Sequence, residues 1–494
     1  MNSKRPASRP TSPRDNRHSP EDKRTSERSA GSNSPWNTRA ARTTTDETRV
    51  PFAPGPSRDG PGSPRFCFAG EVASPTSWGR IVREILLAAR DLEMPLALRP
   101  IKGYAFEAEY PLPDFLARLS ERPPLGKIQI AVQPAFCLHL PEPRTTRWAC
   151  TSFCLPPTPA EVKNLQGFHQ IWVFSEDHRQ ALARAGIPLE RIRALPLAVH
   201  PKMFHLRAPR HPDIPRDNRF RFLYVGNPLR RKAVDLVLRA YLEEFRTAEP
   251  VELVIKLTHL PRIKKQFDYE IADLAKRLGA INNLFPRVRV ITGCWEDKDL
   301  AGLMTACQTL VSADRAYFTA LVVREGMACG VPVIGPAILG PLAGLTAETG
   351  WFVQTREVEY EPGILFPGSP KTRGEEVDIA DLRRLMREAF TQPGATRKKG
   401  VEAARAVAQA REWRETAERL RAEGARTAEE LARRRAESAP PSGGPGHSSG
   451  PSSSHAGSRR TSGDRPGERS TRGSYKAGMR PSKPRGGREG DRRD

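Results

Sequence analysis

The chain has 494 residues, room for two or three domains, and carries 80 Lys+Arg against 57 Asp+Glu for a formal net charge of +23. Residues 1–64 and 438–494 together supply +12 of that charge, so the middle is only moderately basic and the total is no evidence for a nucleic-acid-binding domain. Seven cysteines, an odd number over this length, point to reduced thiols and a cytoplasmic setting, and no run of about 18 apolar residues is present to span a membrane.

Taken in chain order, residues 1–64 are rich in Ser, Pro, Gly and Arg and poor in apolar residues. Such a segment cannot bury enough surface to offset the entropy of ordering it, so it is expected to be a disordered tail. It also lacks the apolar stretch of a secretory signal. From residue 65 the pattern changes. "RFCFAG" (65–70) reads as a strand and "WGRIVREILLAARDL" (78–92) as an amphipathic helix. "KIQIAVQ" and "QIWVFS" read as further strands, and "EDHRQALARAG" as a helix closed by a glycine. A polar stretch with three prolines, residues 205–218, follows as a linker. A second series then runs strand "RFLYVG", helix "KAVDLVLRAYLEEF", strand "VELVIKL", helix "IADLAKRLGA", strand "RVRVITG", helix "DLAGLMTAC", strand "QTLVS", helix, strand "VPVIGP". Residues 438–494 form a second tail, expected to be disordered, whose "PRGGREG" (484–490) offers a weak contact to RNA or another polyanion.

Strands alternating with helices of this length predict parallel βαβ units. The fold class is therefore α/β, with two Rossmann-like domains facing each other between the tails. In open α/β sheets ligands sit beyond the carboxyl ends of the strands, which places the expected site in the cleft between them. Glu325 lies in "YFTALVVREGMACGVPVIG" (317–335), a lone carboxylate at the start of a helix that leads into a strand. There it either receives a ligand's hydroxyls near the partly positive helix start or caps its own helix. Cys150 and Cys154 are close in sequence, but no second Cys or His pair at metal spacing follows, so no metal site is expected.

With these residues placed, the chain from about 65 to 425 resembles the retaining glycosyltransferases of the GT-B fold known as "glycosyl transferases group 1". "VREGMACGVPVIG" resembles the family's Glu-(Ala/Gly)-Met-Ala-(Cys/Ser)-Gly-x-Pro-Val-Ile signature, with Glu325 as the second glutamate of its Glu-x7-Glu motif. "FLYVGNPLRRKAVDLVLRAY" (222–241) resembles the opening of the donor domain, residues 173–204 the close of the acceptor domain, and "EWRETAERLRAE" (412–423) the final helix. The resemblance implies an acceptor-side domain over 65–204, a linker over 205–218 and a donor-binding domain over 219–395. It also implies C-terminal helices over 396–437 that partly pack back on the first domain.

For function, the resemblance implies transfer of a sugar from a nucleoside diphosphate sugar to an unknown acceptor with retention of configuration. Glu325 is implied to bind ribose, and Lys232 with Arg231 beside it to contact the diphosphate. Gly79 and Arg80 are implied near the diphosphate from the other domain, and His139 near the reacting centre. Fixed cations would stabilise the charge that builds on the leaving diphosphate, so no cofactor or metal is expected. The pattern departs from the family at three places. Tyr317 stands where the first motif glutamate belongs, Phe318, Thr319 and Ala320 replace its Gly-x-Gly, and Asn227 replaces a phosphate-binding arginine for which Arg230 or Arg315 could substitute. The alternative reading is an inactive homologue that uses the fold as a binding or scaffold module, with basic tails that recruit an anionic partner.

Overall fold

Strands covered on both faces read as unbroken apolar runs, and "FCFAG" and "IQIAV" are buried at every position. The computed structural model describes residues 65–437 apart from 103–109, 125, 139–144, 155, 228, 259–275, 277–285, 410 and 411. Both tails, His139 and the helix expected over 271–280 lie outside the described residues.

The first sheet contains β1 (Phe66–Gly70), β2 (Leu96–Pro100), β3 (Ile128–Val132), β4 (Thr146–Thr151), β5 (Gln170–Val173) and β6 (Ile192–Ala194), all parallel, in the order β2-β1-β3-β4-β5-β6. Its helices are α1 (Ser77–Asp91), α2 (Asp114–Ser120), α3 (Pro159–Gln166) and α4 (Glu176–Arg184). The second sheet contains β7 (Phe220–Gly226), β8 (Val251–Leu257), β9 (Arg287–Thr292), β10 (Thr309–Val311), β11 (Val333–Pro336) and β12 (Gly350–Val353). These are also parallel, in the order β12-β11-β10-β7-β8-β9. Its helices are α5 (Val234–Glu244), α6 (Asp297–Thr305), α7 (Leu321–Ala328) and α8 (Leu339–Ala343). An antiparallel hairpin, β13 (Thr355–Tyr360) and β14 (Thr372–Val377), precedes α9 (Ile379–Thr391), α10 (Pro393–Ala408) and α11 (Trp413–Glu437).

Each sheet has a topological switch point, where the chain turns back to build on the other side of its first strand. In the first it lies between β1 and β3, and in the second between β7 and β10. Crevices form beyond the strand ends at such points. The loops after β1, β7 and β10 border these crevices.

The β1–α1 loop is set by its sequence. Thr76 caps α1, its hydroxyl accepting from the Gly79 N–H at 3.3 Å. Trp78, Ile81, Val82, Ile85 and Leu86 bury one face of the helix at helical spacing. Gly79 is required for space, since a Cβ there would stand 2.0 Å from the Ser74 carbonyl oxygen. Arg83 donates to the Val72 and Ser74 carbonyls, each at 2.8 Å, and fixes the loop. Arg80 follows on the next face, towards the second sheet. Among the described residues no helix is long and apolar enough to cross a membrane.

Candidate active site

After β7 the chain makes a short 3-10 turn at Arg230–Lys232 and enters α5 through Ala233, whose φ of +49° lies in the left-handed region. The Tyr224 hydroxyl donates to the Lys232 carbonyl at 3.0 Å and holds the turn. Lys232 forms an ion pair with Asp314 of the β10–α7 loop. Burial lowers the Lys232 pKa from its ordinary value, with Asp314 opposing the drop. Arg231 crosses the same gap, donating to the Ala316 carbonyl at 3.2 Å and lying 4.7 Å over the Phe318 ring. The Arg315 N–H donates to the Arg231 carbonyl at 2.8 Å. These contacts lace the two loops of the second switch point together.

The loop that departs from the family pattern is tightly packed. Tyr317 is buried, and its hydroxyl donates to the Ser312 carbonyl at 3.1 Å and accepts from the Asp314 N–H at 3.2 Å. The phenol thus closes its own loop. Ser152, in the segment after β4, donates to the Phe318 carbonyl and tethers this loop to the first sheet. The Phe318 ring lies 5.9 Å from that of Phe136, which stacks on Phe366 at 4.5 Å. Aromatic packing therefore fills the place where the resembling family has glycines. Ala320 enters α7 at a φ of +48°, a second alanine in the glycine-favoured region beside the switch point. Arg315 points elsewhere, to Asp235 at 2.7 Å and Glu376 at 2.8 Å.

The structure corrects the placement of Glu325. The helix begins at Leu321, so Glu325 is its fifth residue and sits in the second turn, too far along to cap it. Its carboxylate Oε1 instead accepts from Arg80, which also donates to Asp297 Oδ1 at 2.7 Å, at the start of α6. One arginine of the first sheet's layer thus clasps two carboxylates of the second. Glu325 is 1% exposed. Burial raises its carboxyl pKa to about 7, with Arg80 opposing the rise and Asp297 adding to it. Burial works against the Arg80 charge, but Glu325 and Asp297 outweigh it and hold the guanidinium above its ordinary value. The Oε2 of Glu325 has no hydrogen-bond partner among the described residues.

The cleft contains a cavity of about 90 Å³ lined by Thr76, Arg80, Asn227, Lys232, Lys256 and Trp295, among others. The Asn227 Oδ1 also has no hydrogen-bond partner among the described residues. The structure therefore brings together Arg80, Asn227 and Lys232 at the cavity, with Gly79 and Glu325 beside Arg80 and Arg231 beside Lys232. It does not bring Arg315 there. A larger cavity of about 500 Å³ under the hairpin is lined by Asp314, Arg315, Tyr317, Tyr360, Phe366 and Glu375, among others. Sequence reasoning missed Asp297, Asp314 and Lys256. Lys256 left a readable signal, a cation at the penultimate position of the apolar strand "VELVIKL".

No protein-family model matches the sequence, and no curated protein matches it by sequence. The solved structure of Anabaena Alr3699/HepE in complex with UDP-glucose is similar to this one at a TM-score of 0.52 and 15% identity, over 73% of this chain and 98% of that chain. The structure of the same Anabaena protein in complex with UDP gives 0.51 and 14%, over 75% and 100%. Sucrose-phosphate synthase from Thermosynechococcus elongatus gives 0.51 and 14%, over 76% and 100%. At such identities the likeness is one of architecture, and it spans both sheets. The chain has the GT-B fold, two Rossmann-like sheets with a cleft at their switch points.

Proposed function

We propose that this protein is a glycosyltransferase that takes a sugar from a nucleoside diphosphate sugar and passes it to an acceptor with retention of configuration. The observation that supports this is the chemistry of the cleft. Cations from facing layers, Arg80 and Lys232, border a cavity at the switch point. Beside them stand two buried oxygens without hydrogen-bond partners among the described residues, Glu325 Oε2 and Asn227 Oδ1. Unsatisfied buried polar atoms are costly, and ribose or sugar hydroxyls would donate to both. The cations suit the diphosphate, since charge grows on its oxygens as the sugar leaves and cations held in place favour that state over the bound substrate. In this reading side-chain cations meet that charge. UDP and UDP-glucose occupy the similar Anabaena protein.

A ligand pocket usually measures roughly 300–1,000 Å³, well above the 90 Å³ of the cleft cavity. A whole donor therefore needs more room than this cavity alone provides. The larger cavity under the hairpin shares Asp314 and Tyr317 with the lining nearer the cleft. It gives an acceptor room next to the donor.

The test is binding followed by turnover. UDP-, GDP- and ADP-sugars are screened by thermal shift, where a ligand at about 100 times its Kd adds about 2.7 kcal/mol to stability. The anomeric configuration of any product then reports retention. Lys232→Ala is expected to weaken binding of the nucleoside diphosphate by tenfold or more and to lower kcat/KM by about tenfold to a thousandfold. Affinity for the nucleoside without phosphates should change little. Equal diphosphate affinity in Lys232→Ala and wild type would remove the phosphate site from this reading.

A further inference from the structure

Among the described residues three cations line the cleft cavity, Arg80, Lys232 and Lys256, and they differ in what holds them. Arg80 is held by Glu325 and Asp297, and Lys232 by Asp314. Lys256 is held by backbone. Its Nζ donates to the Gly293 carbonyl at 2.6 Å and the Leu257 carbonyl at 3.1 Å, and lies 4.9 Å from the Trp295 ring centre. Among the described residues no carboxylate forms an ion pair with it, although the side chain is only 5% exposed. An ammonium group has three protons, and these bonds use two. A buried charge without a counter-charge is expensive, and burial lowers the Lys256 pKa to about 8. A chain seldom keeps such a charge at the carboxyl end of a central strand without a use for it.

The surroundings say what would offset it. β8 adjoins β7 in the sheet, so Lys256 and the β7–α5 loop border the same cavity. Asn227 of that loop brings no charge, and Lys232 shares its own with Asp314. An anion in the cavity would meet Lys256 directly, with the Thr258 and Thr76 side chains also on the wall.

We infer that Lys256 binds a phosphate oxygen of a diphosphate group in the cleft, as the cation left uncommitted by the carboxylates around it. This rests on the proposed function for the identity of the ligand as a nucleoside diphosphate, but the anion site itself does not. Lysine acts there as a point charge, and its backbone bonds fix its position before the ligand arrives.

Lys256→Gln keeps a hydrogen-bond donor for the two carbonyls while removing the charge, and Lys256→Arg keeps the charge. Isothermal titration with UDP, GDP and ADP, and with inorganic pyrophosphate, is compared across wild type and both variants. The expected result is a tenfold to hundredfold loss of diphosphate and pyrophosphate affinity in Lys256→Gln, with partial retention in Lys256→Arg, at an unchanged circular dichroism spectrum. If no nucleotide binds wild type but pyrophosphate does, and Lys256→Gln abolishes that, the anion site stands while the nucleotide reading falls. Wild-type affinity for both probes in Lys256→Gln, or no binding of pyrophosphate and nucleotide by the wild type, overturns the inference.

Discussion

Trp413→Ala is expected to destabilise the protein by about 3–5 kcal/mol, the usual cost of emptying a buried tryptophan site. Trp413 opens α11 at 6% exposure, and Ala417 and Leu420 are fully buried in the same core as Phe66, Trp148 and Trp172 of the first sheet. The positions 413, 417, 420 and 424 form one stripe at helical spacing. At its end, a Cβ on Gly424 would stand 2.3 Å from the Phe66 ring, so the helix approaches β1 as closely as glycine permits. Polar contacts fix its register. Arg419 donates to the Ala194 carbonyl at 3.1 Å, and Gln170 to Glu423 at 2.5 Å. The preceding helix, α10, buries Ala403 and Val407 against the second sheet's core. Two consecutive helices therefore tie the two sheets, one to each. Urea unfolding of Trp413→Ala should show the full loss, while Arg421→Ala, on the exposed side of α11, should stay within about 0.5 kcal/mol. A Trp413→Ala variant as stable as wild type would mean that this helix is not part of the first sheet's core.

What the sequence made legible follows from which forces are local. The alternation of strands and helices was readable because the central strands are covered on both faces and so appear as largely apolar runs, as in "FCFAG". The hairpin β13–β14 was not readable. "TREVEY" and "TRGEEV" are half charged and mostly exposed or half-buried, and only Tyr360 and Val377 in them are buried. Its pairing rests on cross-strand contacts such as Arg356 with Glu376, which no single run displays. At the site, residue types were readable and their partners were not. Glu325 stood out as a lone carboxylate in an apolar passage, but the arginine that claims it comes 245 positions earlier. Likewise, Tyr317 stands where the resembling family has its first motif glutamate, and its hydroxyl is spent on its own loop. Only the fold decides which polar groups remain free to meet a ligand.

Arg80→Ala is expected to cost little at about pH 5.5 and several kcal/mol at about pH 8.5. The reason lies in the proton that Glu325 can take up. Its pKa in the folded protein is raised to about 7 from an ordinary 4.5, so between those values the native state holds a proton that the unfolded chain releases. Stability therefore falls as pH rises through that window, and the fall ends near pH 7 in the wild type, where Arg80 keeps the ionised form tolerable. Removing Arg80 deletes the main opposing effect, so the native pKa rises further and the loss continues above pH 7 by about 1.4 kcal/mol per pH unit. Below that range Glu325 is neutral, and the variant loses only hydrogen bonds, packing and the cation over the Phe204 ring at 5.3 Å. Glu84, whose own pKa burial raises to about 7, also loses the favourable effect of Arg80 and steepens the same trend. Asp297 loses its partner too, at 13% side-chain exposure. The double variant Arg80→Ala/Glu325→Gln isolates the carboxyl, and most of the extra loss at high pH should vanish in it. Urea midpoints at the two pH values measure this directly. An equal cost of Arg80→Ala at both would show that Glu325 is not the buried charge held by the clasp.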